Sequence, residues 1–208
     1  MKHIFLHGLG QTPASWDKTI ACLGMEDPAD CLDLRSLVSG GEVTYQNLYA
    51  AFSACCDGLD GTLDLCGLSL GGVMALNYAT CHPQRVRSLV LIAAQYQMPK
   101  KLLRFQNLIF RFMPSSAFQQ TGFGKADFLK LCRTMMELNF SDSLSKVTCP
   151  ALVLCGEKDS ANKKAAIALA ERLPHARLQI IPGAGHEVNL EAPEALAKAL
   201  QDFYDGIG

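Results

Sequence analysis

Residues 62–79 read TLDLCGLSLGGVMALNYA, and the order of residue types in this stretch decides the fold. Thr62 to Cys66 has the length and composition of a buried strand. Gly67-Leu68-Ser69-Leu70-Gly71-Gly72 follows, and an apolar helical stretch runs on from Val73. A strand that turns directly into a helix brings together the residues two before and two after the tip, so both must be small. Gly67 and Gly71 meet that demand, and Ser69 is left at the tip in strained backbone. The first amides of the helix, Leu70 N–H among them, would face the space beside the Ser69 hydroxyl, where an oxyanion could be held. A glycine-rich turn that only packs a helix on a sheet fits the same residues, so the rest of the chain has to decide.

On both sides of this elbow, strand and helix signals alternate. His3 to Leu6 is a short apolar strand ending at His7-Gly8-Leu9-Gly10. Thr12-Pro13 then opens a helix that stops near Gly24. Cys31 to Leu34 is a weaker strand, and a helix from about Thr44 places Leu48, Phe52 and Cys55 on one face. The elbow helix ends near His82-Pro83, and Arg87 to Ala93 is a nearly continuous apolar strand of the kind covered on both faces. Ala151 to Cys155 is another strand, Ala165 to Leu173 a helix, Leu178 to Ile181 the last strand and Pro193 to Tyr204 a closing helix. Six strands separated by helices predict an α/β fold: a doubly wound, mostly parallel six-stranded sheet in a single domain. Ligands collect at the carboxyl ends of such strands.

Composition narrows the function. The 208 residues are 49% apolar, enough for one continuous core, and the net charge of −1 comes without a Lys/Arg-rich cluster, which argues against nucleic acid as a partner. No stretch has the length of a membrane span, so stable membrane insertion is not expected. Met1-Lys2 leads straight into HIFLHG, a core strand rather than a signal peptide, which predicts a cytoplasmic protein. Nine scattered cysteines with no C-x-x-C pair read as reduced core thiols. Gly8-Leu9-Gly10 continues into Gln11-Thr12-Pro13 without the third small residue of a dinucleotide fingerprint, and no G-x-x-x-x-G-K-[ST] exists; no cofactor and no metal are expected. Nothing in the sequence bears on oligomeric state.

A serine nucleophile needs a base at the same rim. Of five histidines only His7 and His186 lie beyond a strand's carboxyl end. His3 starts a strand, His82 ends the elbow helix, and His175 enters the last strand from the opposite rim. His186 sits in Gly183-Ala184-Gly185-His186-Glu187, a glycine-rich loop able to bend across the site, and is the candidate general base. Gly156-Glu157-Lys158-Asp159 follows the Ala151 to Cys155 strand; Asp159 is preferred to Glu157 as the carboxylate that orients the imidazole.

The segments HGLGQTPASW, GLSLGG, HPQRVRSLVLI, CPALVLCGEKD and PGAGHEVNLEAPEAL, in that order, resemble the α/β-hydrolase superfamily over nearly the whole chain. The order Ser69, Asp159, His186 is the one that superfamily uses. The resemblance implies a catalytic triad of these three residues and an oxyanion hole made by the backbone amides of Leu9 and Leu70. It implies that His7 is satisfied by nearby backbone. It also implies a helical cap over residues 95–147, and it departs from the family in lacking the N-terminal hairpin and the usual D-x-x-G-x-G turn, replaced by Asp33-Leu34-Arg35-Ser36.

Within 95–147, Leu102, Phe105, Ile109 and Phe112 recur at helical spacing, as do Phe128, Leu131, Met135 and Leu138. Phe105, Phe112, Met135 and Met136 are the candidate substrate-binding residues of this segment. No Asp or Glu falls between Asp64 and Asp127, whereas Lys100, Lys101, Arg104, Arg111 and Lys125 do; these form either a solvated basic face or an attractor for an anionic substrate or lipid surface. The expected function is serine hydrolysis of small or medium carboxylic esters, extending to lactones or thioesters, through an acyl-enzyme on Ser69. The alternatives are a triad-dependent lyase or carbon–carbon bond hydrolase of the menaquinone-pathway synthase kind and a non-catalytic ligand-binding protein on the same fold.

Overall fold

Alternate residues along the central strands are apolar on both sides, and the chain covers both sides with helices. The computed structural model describes residues 2–25, 29–118 and 122–207, apart from the side chains of Leu102 and Gln106. Six strands, β1 (Lys2–Leu6), β2 (Ala29–Leu32), β3 (Leu63–Leu68), β4 (Val86–Ile92), β5 (Ala151–Gly156) and β6 (Ala176–Ile181), form one sheet in the order β2-β1-β3-β4-β5-β6. Every pairing is parallel.

The helices are α1 (Asp17–Leu23), α2 (Leu34–Leu37), α3 (Tyr45–Asp57), α4 (Leu70–Cys81), α5 (Lys100–Phe112), α6 (Lys125–Met135), α7 (Ser160–Arg172), α8 (Val188–Glu191) and α9 (Pro193–Asp205). Ile4, Leu65, Leu89 and Val153 bury one face of the sheet with residues of α3, α4 and α7. Phe5, Cys66, Val90 and Leu154 bury the other with residues of α1 and α9. Among the described residues, no helix is long and apolar enough to cross a membrane.

Local chemistry moved several boundaries. The predicted strand to Leu34 stops at Leu32, because the Asp33 carboxylate accepts from Arg35 N–H at 3.0 Å and caps α2 instead. The inward ridge of α3 is Leu48, Phe52 and Cys56, with Cys55 only half-buried, since i, i+4, i+8 is the row that faces the sheet. Helix α7 begins at Ser160, five residues before the predicted Ala165, because Asp159 caps it by accepting from Asn162 N–H at 3.2 Å. All nine cysteines are free, but Cys22 and Cys81 are exposed rather than in the core.

Between β4 and β5 the chain leaves the sheet. Its two ends are laced together by Met98 N–H to Leu138 O (3.1 Å) and Phe140 N–H to Tyr96 O (2.8 Å). Beyond that neck, Phe110, Phe118, Phe123 and Phe128 pack edge to face, and Tyr45 N–H donates to Thr134 Oγ1 at 2.9 Å, tying α6 to α3.

Candidate active site

The elbow is built as its glycines require. A Cβ on Gly67 would lie 2.4 Å from the Gly71 carbonyl, and one on Gly71 would lie 2.3 Å from Leu6 O. The turn therefore closes only with glycine at both positions. Ser69 has φ 53° and ψ −112°, a region a non-glycine residue enters at a cost of about 1–3 kcal/mol. Its N–H donates to Ile92 O at 2.8 Å and its carbonyl accepts from Val73 N–H at 2.9 Å, which fix the strained residue between β4 and α4. Ala93, at the end of β4, also has positive φ (49°) and donates its N–H to Leu154 O at 2.8 Å.

The acid and the base arrive from the next two strands. Gly156, last residue of β5, leaves no room for a side chain, because a Cβ there would lie 2.0 Å from Gly185 O. That contact brings the 183–187 loop against β5, and His186 Nδ1 meets Asp159 Oδ2 at 2.8 Å. The Glu191 carboxylate accepts from Gly185 N–H (2.7 Å) and Glu187 N–H (3.0 Å), so the residues on either side of His186 are both pinned. Glu157, the passed-over carboxylate, accepts from Gly183 N–H at 2.9 Å and braces the same loop.

Sequence reasoning missed Asn162. Its side-chain amide donates to both oxygens of Asp159 (3.0 and 2.9 Å), and Gln95 Nε2 donates to its Oδ1 at 2.7 Å. The spacing Asp159-x-x-Asn162 is that of a helix N-cap and its third residue, and it was the available signal. Burial by itself would raise the Asp159 pKa, but the hydrogen bonds from His186 and Asn162 outweigh it and hold the carboxyl below the ordinary aspartate value. With Nδ1–H donated to an ionised Asp159, the imidazole keeps Nε2 as its basic nitrogen.

Ser69, Asp159 and His186 meet at one cavity of about 460 Å³, whose lining is mostly apolar and includes Leu70, Val73, Met98, Leu103, Phe110 and Met135. No hydrogen bond links the Ser69 hydroxyl to His186 among the described residues, and the His186 side chain is 42% exposed. Such contacts tighten when substrate fills the site.

The HGLG turn packs on the elbow: a Cβ on Gly8 would lie 3.6 Å from Ser69 Cβ. Neither Leu9 N–H nor Leu70 N–H donates to another described residue. Gln11, buried beneath the turn, accepts from Gly8 N–H at 3.3 Å and donates to Glu187 and Asn189, each at 3.1 Å, linking the turn to the histidine loop. His7 is satisfied by backbone as expected, with Nδ1 2.9 Å from Gly8 O and Nε2 accepting from Leu34 N–H at 3.2 Å. Of the predicted substrate-binding residues, Phe105 and Met135 line the cavity. Phe112 and Met136 do not. Phe112 ends α5 on its outer side and is 81% exposed, and Met136 lies past the last turn of α6. Leu102, whose side chain lies outside the described residues, completed the predicted stripe.

A parallel sheet with a strained serine after β3, an aspartate after β5 and a histidine after β6 defines a class of enzymes, and the sequence model of the alpha/beta hydrolase family matches residues 4–199. The chain belongs to that family. Among its relatives, the pimeloyl-[acyl-carrier protein] methyl ester esterase of Edwardsiella ictaluri is 28% identical, the match covering 98% of this chain and 93% of the relative. The enzyme of the same description from Aeromonas hydrophila is 26% identical over 96% of this chain and 94% of its own length. The thermophilic esterase from Thermogutta terrifontis has the same fold, with a TM-score of 0.82, 22% identity and coverage of 100% of this chain and 90% of that one.

Proposed function

We propose that the protein is a serine hydrolase of small or medium carboxylic esters acting through an acyl-enzyme, with residues 95–147 serving as a cap on a single catalytic domain. The observation that carries this reading is the Asp159–His186 pair at 2.8 Å opening with Ser69 into one apolar cavity. In the first half-reaction the Ser69 oxygen attacks the ester carbonyl while His186 Nε2 takes the hydroxyl proton. The carbonyl oxygen becomes an oxyanion held by the Leu9 and Leu70 amides. The intermediate then expels the alcohol, which receives the proton from His186. In the second half water attacks the acyl-serine while His186 Nε2 takes its proton, and the acid leaves as that proton passes to the Ser69 oxygen.

Two features favour an acyl chain in the cavity with a small alcohol leaving. The lining from Val73 to Met135 offers hydrocarbon and few polar partners. The relatives with methyl ester esterase descriptions span more than nine-tenths of this chain.

A fluorophosphonate probe should label the protein at one site, and a peptide containing Ser69 should carry the adduct. Ser69→Ala should lose the label and lower kcat by about 10⁴-fold or more while the protein stays folded. Wild-type turnover in that variant would overturn the proposal.

A further inference from the structure

The helix α5 divides lengthwise into three sectors when its residues are placed at about 100° each. One sector faces the rest of the cap: Asn107 donates to Leu129 O at 3.4 Å, and Phe110 packs against Phe118 and Phe128. The next carries Arg104, Arg111 and Leu108, which with Leu129 and Arg133 of α6 line a groove of about 330 Å³. The third carries Phe112, Phe105 and Ile109, which are 81%, 60% and 45% exposed. Phe105 and Ile109 also line the cavity that holds Ser69. Single exposed apolar side chains are ordinary, but a contiguous run of them beside unpaired cations is not.

The charges around this face are one-sided. Lys100 is paired with Glu137, and Lys125 donates to the Arg111 and Met113 carbonyls at the end of α5. Lys101, Arg104, Arg111 and Arg133 have no acidic partner among the described residues. No Asp or Glu lies between positions 64 and 127 to oppose them.

We infer that the outer face of α5 docks on an anionic lipid surface. Guanidinium groups match phosphate bidentately, so the Arg104, Arg111 and Arg133 groove takes headgroups. Leu108, Phe112 and Phe105 then reach the acyl boundary, as the apolar side of an interfacial helix does. An anionic bilayer supplies both chemistries side by side, phosphate for the groove and hydrocarbon for the exposed strip, whereas an acidic protein would need a matching apolar furrow beside its charges. If the hydrolase reading holds, the residues shared by strip and cavity give a lipid-borne ester a path to Ser69 that avoids water.

Flotation with vesicles tests binding separately from turnover, using Ser69→Ala protein so that hydrolysis plays no part. The protein should float with vesicles of equal phosphatidylcholine and phosphatidylglycerol and stay behind with phosphatidylcholine alone. Arg111→Glu should weaken flotation by roughly fivefold or more per charge lost. Leu108→Asp should weaken it by about tenfold. In the Ser69 background both variants should leave turnover of a short soluble ester within about twofold of wild type. Failure of the wild-type face to bind anionic vesicles would overturn the inference. So would binding to anionic vesicles that ignores Leu108→Asp, which would leave only electrostatic attraction and no role for the apolar strip, or a stable dimer broken by Leu108→Asp, which would make a second copy the occupant.

Discussion

The strand-end rim and the α5–α6 segment solve opposite problems with different means. At the rim, Gly67, Gly71 and Gly156 admit backbone within distances that no Cβ tolerates, and Ser69 is locked in strained geometry by Ile92 O and Val73 N–H. In the α5–α6 segment, Gly124 has ordinary dihedrals, and a Cβ there would find only Asp127 Oδ2, at 3.6 Å. The rim holds its groups by backbone closure, while the α5–α6 segment is held by its phenylalanine cluster, a two-bond neck and the tie from Tyr45 to Thr134. Chemistry that depends on ångström placement sits on the first.

The largest effect that could break this contrast lies in the acid. Asp159→Asn would present an amide to His186 Nδ1, favouring the tautomer with the proton on Nε2 and removing the base. A kcat loss of about 10³–10⁴-fold is expected in a protein that still folds but has lost the stability share of the ionised carboxylate. Asn162→Ala leaves the carboxylate in place but removes its two side-chain donors, so about a tenfold loss in kcat is expected, separable from binding by an unchanged KM. If the Asn162 variant fell as far as the Asp159 variant, the rim would owe its activity to the amide instead of the carboxylate.

Stability should divide along the same line. Gly156→Ala forces a methyl group onto the Gly185 carbonyl and should cost about 3 kcal/mol or more by urea unfolding. Gly124→Ala should cost no more than about 1 kcal/mol. Equal costs would mean that the α5–α6 segment is as tightly determined as the rim. Trimming Leu103, which lines the cavity and is only partly buried, should instead move selectivity. Leu103→Ala should raise KM for longer acyl esters by about three- to tenfold with kcat within twofold, measured on a chain-length series.

Legibility in the sequence followed the same division. The elbow, the succession of strands and helices and the placing of Ser69, Asp159 and His186 at strand ends rest on glycine spacing and apolar runs, which are local signals. Asn162 escaped because its role comes from standing in the first turn of the helix that Asp159 caps, and that turn, Ser160-Ala161-Asn162-Lys163-Lys164, is too polar to look helical. The lacing by Gln11 and Asn189 joins residues 178 apart, and no window along the chain contains both. Phe112 and Met136 were misplaced because periodicity identifies a stripe without saying which neighbour it faces.

The smallest expected effect concerns acid stability, where two groups at the rim act in the same direction but in different windows. Burial lowers the His7 pKa below its usual value, against the opposing influence of the Gly8 carbonyl and Asp33, so the folded state binds fewer protons there than the unfolded chain does. Stability from the neutral ring is therefore full above about pH 6.5 and is lost as pH falls toward the folded value. Asp159 is also depressed, so its share is full above about pH 4 and is lost only below that, as its carboxylate is protonated against His186 and Asn162. Unfolding free energy measured from pH 8 to pH 3 should decline in two stages. His7→Gln should flatten the first stage and Asp159→Asn the second. A first stage that survives His7→Gln would assign that proton to another group and leave the HGLG turn insensitive to the charge of the ring beneath it.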